Sequence, residues 1–190
     1  MVERKEYLAE LIQWKDEQVI KVVTGIRRCG KSTLLTQYQA WLRENGVQDA
    51  QIVSVNFEEL EYEELLDYKK LYAYLKERLA AGRTTYIFLD EIQRVTDFEK
   101  VVDSLYVKPD VDIYITGSNA YMLSGDLATL LTGRYVEIKM LPLSFREFLD
   151  FHGYLLEEYK APNGTMKQRA KGKDGEAYEL RDLFEAYAQF

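Results

Sequence analysis

Apolar residues along this chain fall into short continuous runs separated by stretches of helical period, and that pattern predicts a fold before any motif is read. Tyr7, Leu8, Leu11 and Ile12 recur at helical spacing, so an amphipathic helix over Lys5–Trp14 leads the chain. Val19–Val23 is a strand ended by Gly25, and Lys31–Asn45 returns to helical spacing with Gly46 as its stop. "QIVSVNF" (Gln51–Phe57), "TYIFLD" (Thr85–Asp90), "VDIYITGSN" (Val111–Asn119) and "RYVEIKM" (Arg134–Met140) are four further strands. Helices are expected at Leu65–Ala81, Phe98–Tyr106, Ser124–Leu131 and Ser144–Phe151, the last capped by Ser144. Strands with almost no polar alternation need cover on both faces, which crossover helices supply. The fold class is therefore α/β: a three-layer sandwich around a mainly parallel five-stranded sheet.

Beyond His152 the pattern changes. Residues 153–178 are rich in Lys, Gly and polar side chains without apolar periodicity, which predicts a mobile loop. Residues 179–190 resume helical spacing (Leu180, Leu183, Phe184, Tyr187) and stop with no Gly or Pro, as a helical region cut within a longer protein would. The expected organisation is thus 1–17 as a helix packing on the core, 18–152 as the core, 153–178 as the loop and 179–190 as that helical start.

Composition narrows the function classes. With 190 residues, 47% of them hydrophobic and 13% aromatic, the chain can bury one substantial core. A formal net charge of −7 argues against gripping nucleic acid by bulk charge and leaves only the basic stretch Lys167–Lys173 for that role. One cysteine excludes an internal disulfide, and no run nears the roughly 20 apolar residues of a membrane span. A soluble, cytoplasmic protein without a membrane partner is the expectation.

Candidate chemistry starts at Gly25, Ile26, Arg27, Arg28, Cys29, Gly30, Lys31 and Ser32, which match GxxxxGK[ST] between a strand and a helix, with Thr33 following. The glycines let backbone N–H groups turn inward into a concave nest at the positive end of the helix, where a triphosphate fits. Lys31 can reach the β and γ phosphates, and the Ser32 hydroxyl can ligate a bridging Mg²⁺. The side chains of Arg27 and Arg28 are open to phosphate contact or plain solvation. Cys29, with no His or second Cys near it in sequence, reads as a small loop residue and not as a nucleophile.

A second cluster closes the third strand, where Asp90 and Glu91 are adjacent carboxylates. Asp90 suits Mg²⁺, and Glu91, one residue on, suits the general base that polarises an attacking water. Alternatively the pair merely opens the next helix. Ser118 and Asn119, at the end of the fourth strand, are candidate contacts for the γ phosphate and water. Asn56 could hydrogen-bond Glu91 and hold it idle. Arg134, at the start of the fifth strand, lies far from its own phosphates; it fits an arginine finger on a neighbouring subunit or a surface salt bridge. No NKxD pattern for guanine occurs, which favours ATP.

The segments "RKEYLAELIQW", "VVTGIRRCGKSTLL", "VNFEE", "IFLDEIQ", "YITGSNA" and "LTGRYVEIKMLPLSFREFLDF" together resemble the prokaryotic and archaeal AAA+-like P-loop ATPases of the AAA_14 group, across Arg4–Phe151. That resemblance implies sheet order 5-1-4-3-2, ATP and Mg²⁺ as ligands, and hydrolysis. It matches Lys31 and Ser32 to the Walker A motif, Asp90 and Glu91 to Walker B, Ser118 and Asn119 to the sensor segment, and Arg134 to a motif arginine. In such proteins a helical domain and a DUF4143 region follow, and the expectation is that this sequence is truncated ahead of them. Two functions stay open: an Mg²⁺-dependent ATPase acting on a protein partner or on copies of itself, and a nucleotide-gated interaction module with little or no hydrolysis. A small-molecule kinase would need an arginine-rich lid over the phosphates.

Overall fold

A computed structural model describes residues 4–118 and 133–188. They divide into two compact units, one ending at Pro142 and one starting at Leu143. The larger unit runs α1 (Lys5–Gln13), β1 (Ile20–Gly25), α2 (Lys31–Glu44), β2 (Ile52–Asn56), α3 (Tyr68–Glu77), β3 (Thr85–Asp90), α4 (Phe98–Tyr106), β4 (Val111–Ser118) and β5 (Tyr135–Met140). The five strands are parallel in the order β2-β3-β4-β1-β5, the expected order read from the other edge. The expected helix Ser124–Leu131 lies outside the described residues.

Period-2 alternation sorts side chains to the two faces of the sheet. Ile20, Val22, Ile87, Leu89, Ile113 and Ile115 pack under α3 and α4, while Val23, Tyr86, Phe88, Tyr114 and Ile138 pack under α1 and α2. β1 and β3 are buried over all six residues, which makes them rigid supports for whatever leaves their ends. The third helix starts at Tyr68, later than expected, because Asp67 caps it, accepting from the N–H groups of Lys69 (2.8 Å) and Lys70 (3.1 Å); a 3₁₀ segment, Leu60–Leu66, precedes it.

Beneath α2, at the N-terminal ends of the strands, lies a buried polar cluster. Lys21 and Asp112, on neighbouring strands, form an ion pair with almost no solvent contact, 2.5 Å between Nζ and Oδ1. The other Asp112 oxygen accepts from the Tyr114 hydroxyl (2.8 Å) and the Asp16 N–H (3.0 Å), and Tyr38 and Tyr114 share a hydroxyl contact of 2.8 Å. Burial pushes the Asp112 carboxyl above its usual range and the Lys21 ammonium below its own, and each charge opposes the other's shift.

The smaller unit corrects two expectations. Residues 153–178 do not form a loop: β6 (Leu155–Lys160), β7 (Met166–Lys171) and β8 (Ala177–Glu179) make an antiparallel sheet. Its turns, Pro162–Gly164 and Lys173–Gly175, are closed by Ala161 N–H to Thr165 O (2.8 Å) and Gly172 N–H to Glu176 O (2.9 Å), each with a left-handed glycine third. The helix α5 (Phe145–His152), capped by Ser144 as expected, packs in this unit and not in the larger one. Its Phe148 and Leu149 bury with Ala170 of β7 and Leu183 of α6 (Leu180–Ala188). The basic stretch does not stand free either, since Glu157 pairs with both Arg169 (3.4 Å) and Lys171 (3.7 Å).

Candidate functional site

The loop between β1 and α2 is shaped by space at one glycine and by dihedral at the other. A Cβ on Gly25 would stand 2.6 Å from Cys29 Sγ and 2.7 Å from the Met140 carbonyl oxygen, so only glycine fits. Gly30, the N-cap of α2, has φ 96°, a left-handed value that favours glycine. Arg28 also takes a left-handed φ of 67° inside the loop. The loop therefore meets a 14-residue helix whose first N–H groups lack intrahelical acceptors, an anion-binding end.

Lys31 is buried at the head of α2, its Nζ 3.4 Å from Gly25 O, 3.5 Å from Ile26 O and 3.4 Å from Glu91 Oε1. A nearly buried ammonium on loop carbonyls and one carboxylate is poised to exchange those partners for phosphate oxygens. Ser32 is exposed beside it, and Thr33 half-exposed. A cleft of about 450 Å³ opens here, lined by Arg27, Arg28 and Gly30–Thr33 on one side and by Glu58 and Glu91 on the other. Arg27 sits on its rim, ion-paired with Glu58 at 3.7 Å. Cys29, expected as a small loop residue and not as a nucleophile, has its thiol buried against Gly25 in the core under α2, which leaves only its backbone to the loop cleft.

Asp90 and Glu91 arrive from β3. Asp90 is buried and accepts a short hydrogen bond from the Thr116 hydroxyl of β4. Glu91 leaves the strand at φ 55° and ψ 46°, a left-handed turn that costs a side-chain-bearing residue roughly 1–2 kcal/mol. Two hydrogen bonds hold that turn, Glu91 N–H to Thr116 Oγ1 (2.9 Å) and Arg94 N–H to Glu91 O (3.2 Å). Its effect is to swing the Glu91 carboxylate onto Lys31, where the Gln93 side-chain amide also donates to it at 2.6 Å. Simple strand alternation, which sends neighbours to opposite sides, does not anticipate this.

One expected residue, Asn56, does not join the cluster. Asn56 does not touch Glu91; its amide serves its own turn, donating to Glu59 (3.2 Å) and accepting from the Glu58 N–H (3.0 Å). Arg134 stands at the far end of the sheet, where its backbone oxygen accepts from Ile20 N–H, and pairs with Asp103 over the Tyr106 ring. Asn119 lies outside the described residues. Ser118 ends β4 opposite Gly25, which brings its backbone to the loop. Thr116 and Arg4 are the participants that sequence reading missed. Arg4 is buried, and its guanidinium donates to Cys29 O (3.2 Å) and Leu141 O (2.9 Å), tying the loop to the end of β5. An in-strand threonine looks like an ordinary β-former, and an arginine before a helix looks like surface.

The donors present suit Mg²⁺ with a nucleotide. Among the described residues no group of three or more His, Cys, Asp or Glu is placed to hold a metal. A cation beside Ser32 and Asp90 would have one hydroxyl and one carboxylate from this chain and would complete its shell with phosphate and water, as Mg²⁺ does.

A family model described as an AAA domain, AAA_14, matches residues 17–149. An uncharacterized protein of Haemophilus influenzae is 48% identical over 150 residues, 78% of this chain and 38% of that protein. Another from Methanocaldococcus jannaschii is 36% identical over 137 residues, 71% of this chain and 29% of its own. The chain thus spans well under half the length of these relatives. Among solved structures, a DNA polymerase III gamma subunit-related protein from Thermotoga maritima aligns with TM-score 0.54 and 11% identity over 76% of this chain and 48% of that one. Hsp104, solved in a closed state with ATPγS and casein, aligns with TM-score 0.54 and 16% identity over 78% of this chain and 28% of its own. These two likenesses carry the fold alone, whereas the family match covers most of the chain. With its parallel 2-3-4-1-5 sheet and a glycine loop at the head of the second helix, this chain belongs to the AAA_14 family of AAA domains, nucleotide-binding proteins of the P-loop ATPase fold.

Proposed function

We propose that this domain binds Mg²⁺·ATP and hydrolyses it, passing the change of nucleotide state to a protein partner or a second copy of itself in the cytoplasm. The observation that carries the reading is the convergence of Lys31 and Glu91, 3.4 Å apart, at the floor of the loop cleft with Asp90 adjacent in sequence. Cation and base share one point, where the end of a triphosphate and its attacking water must meet. Backbone N–H groups of the loop and helix start hold the phosphates, and Lys31 neutralises charge on the oxygens nearest the reacting phosphorus. Ser32 and Asp90 hold Mg²⁺, which supplies charge neutralisation on the phosphates. Glu91, once Lys31 has turned to phosphate, accepts the proton of the attacking water, while Gln93 orients its other oxygen. Arg134, so far from this cleft, serves a neighbouring molecule's site or none.

Glu91→Gln tests this reading. The variant should bind a fluorescent ATP analogue like the wild type and release phosphate about 100-fold more slowly or less. Steady phosphate release from the wild type no faster than from Glu91→Gln would remove hydrolysis and leave nucleotide-gated interaction as the function.

A further inference from the structure

Thr116 is fully buried on β4, beside the end of β3. Its hydroxyl accepts the Glu91 backbone N–H at 2.9 Å and donates to Asp90 Oδ1. The polarity of this relay is forced: an amide N–H can only donate, so the single hydroxyl proton is free to go to the carboxylate. One oxygen atom thus touches both residues of the acidic pair, the side chain of the first and the backbone of the second.

Each contact has its own consequence. Asp90 has one carboxylate oxygen engaged by Thr116, which fixes the carboxylate's rotation and leaves the other oxygen to face a cation or its water shell. Glu91 occupies a left-handed turn that its side chain disfavours, and the Thr116 hydroxyl is one of the hydrogen bonds that hold it there. Valine has the same shape as threonine and can do neither.

We propose that Thr116 is a positioning residue for the nucleotide site, a single hydroxyl that orients the Mg²⁺-facing carboxylate of Asp90 and at the same time sets the backbone turn that aims Glu91 at Lys31. The proposal rests on the ATPase reading above in its second half only, since the orientation of Asp90 bears on Mg²⁺-linked binding whether or not hydrolysis follows.

The test compares wild type, Thr116→Val and Thr116→Ser by titrating N-methylanthraniloyl-ATP in Mg²⁺ and in EDTA, with phosphate release measured alongside. In EDTA, where Lys31 and the loop act alone, Thr116→Val should bind within about twofold of wild type, which also reports a folded site. The affinity gained on adding Mg²⁺ should fall about tenfold in Thr116→Val, and phosphate release at saturating nucleotide by at least as much. Thr116→Ser, which keeps the hydroxyl, should restore both to within about threefold. An unchanged Mg²⁺ response in Thr116→Val, a serine variant as defective as valine, or a wild type with no Mg²⁺-dependent affinity would each overturn the proposal. If wild type and Glu91→Gln release phosphate equally slowly, hydrolysis fails as the function, yet the Mg²⁺-linked affinities still decide the role of Thr116.

Discussion

Replacing Gly25 by alanine should weaken nucleotide binding, and the size of the effect follows from two contacts. The new methyl would meet Cys29 Sγ at 2.6 Å and Met140 O at 2.7 Å, so each must retreat by about 0.7–0.8 Å to reach ordinary van der Waals contact. The thiol can swing aside. The Met140 carbonyl cannot easily do so, because Met140 is paired with Gly25 in the β1–β5 ladder and lies in the core under α2. Overpacking of this kind costs about 1–3 kcal/mol. If the strain is relieved by displacing the loop, that corresponds to roughly 5- to 150-fold in affinity for an ATP analogue. Titration of the fluorescent analogue measures this directly, and thermal unfolding shows how much of the strain destabilises the domain instead. The double variant Gly25→Ala/Cys29→Ala trims the sulfur and leaves the carbonyl, so it should recover only part of the loss. Affinity within twofold of wild type in the single variant, or complete recovery in the double, would refute the idea that the strand sets the shape of the loop.

Two other perturbations probe the supports of the site. Lys21→Met leaves the Asp112 carboxylate buried beside the Tyr114 hydroxyl and the Asp16 N–H without its counter-charge, at a cost of about 3–5 kcal/mol near neutral pH. A carboxyl whose folded pKa lies above its unfolded value takes up its proton more readily when folded, so stability rises as pH falls through the folded pKa. The Lys21→Met deficit should therefore be larger at pH 7.5 than at pH 5 in urea titrations followed by the fluorescence of Trp14 and Trp41; a deficit that grows on acidification contradicts the assignment. Arg4→Met removes two charge-assisted hydrogen bonds, one to Cys29 O and one to Leu141 O, worth about 1.5–3 kcal/mol each, so the melting temperature should drop by several degrees and nucleotide affinity should fall with it. A variant that melts and binds like wild type would show that Arg4 does not brace the loop.

The parallel core was legible because its strands are nearly continuous apolar runs, and a strand buried on both faces has no other way to be written. The phosphate loop was legible because Gly25 and Gly30 are demanded by a close approach and a left-handed dihedral that few residues satisfy. The antiparallel sheet of the smaller unit was misread because most of its residues are exposed and only Ala170 among its strands is fully buried, so hydrophobic periodicity has nothing to report. A signal was nonetheless present in Asn163–Gly164 and Asp174–Gly175, turn dipeptides whose Asn163 and Asp174 side chains accept from the N–H groups of Thr165 (3.2 Å) and Glu176 (3.0 Å). The roles of Thr116 and Arg4 could not be read from the chain because each is defined by partners distant in sequence, and the departure of Glu91 from strand alternation comes from a turn held by one of them.

β1 carries the phosphate loop at its head and Lys21 near its foot, with partner strands on both sides. Slipping this strand by a single residue would move the loop by about 3.3 Å, drag the lysine out of its ion pair and turn every inward side chain to the wrong face. The buried lysine thus works as a mechanical detent: it denies β1 any travel along its own axis. A rearrangement of the loop therefore cannot be relayed to the far end of the sheet by β1 sliding as a piston.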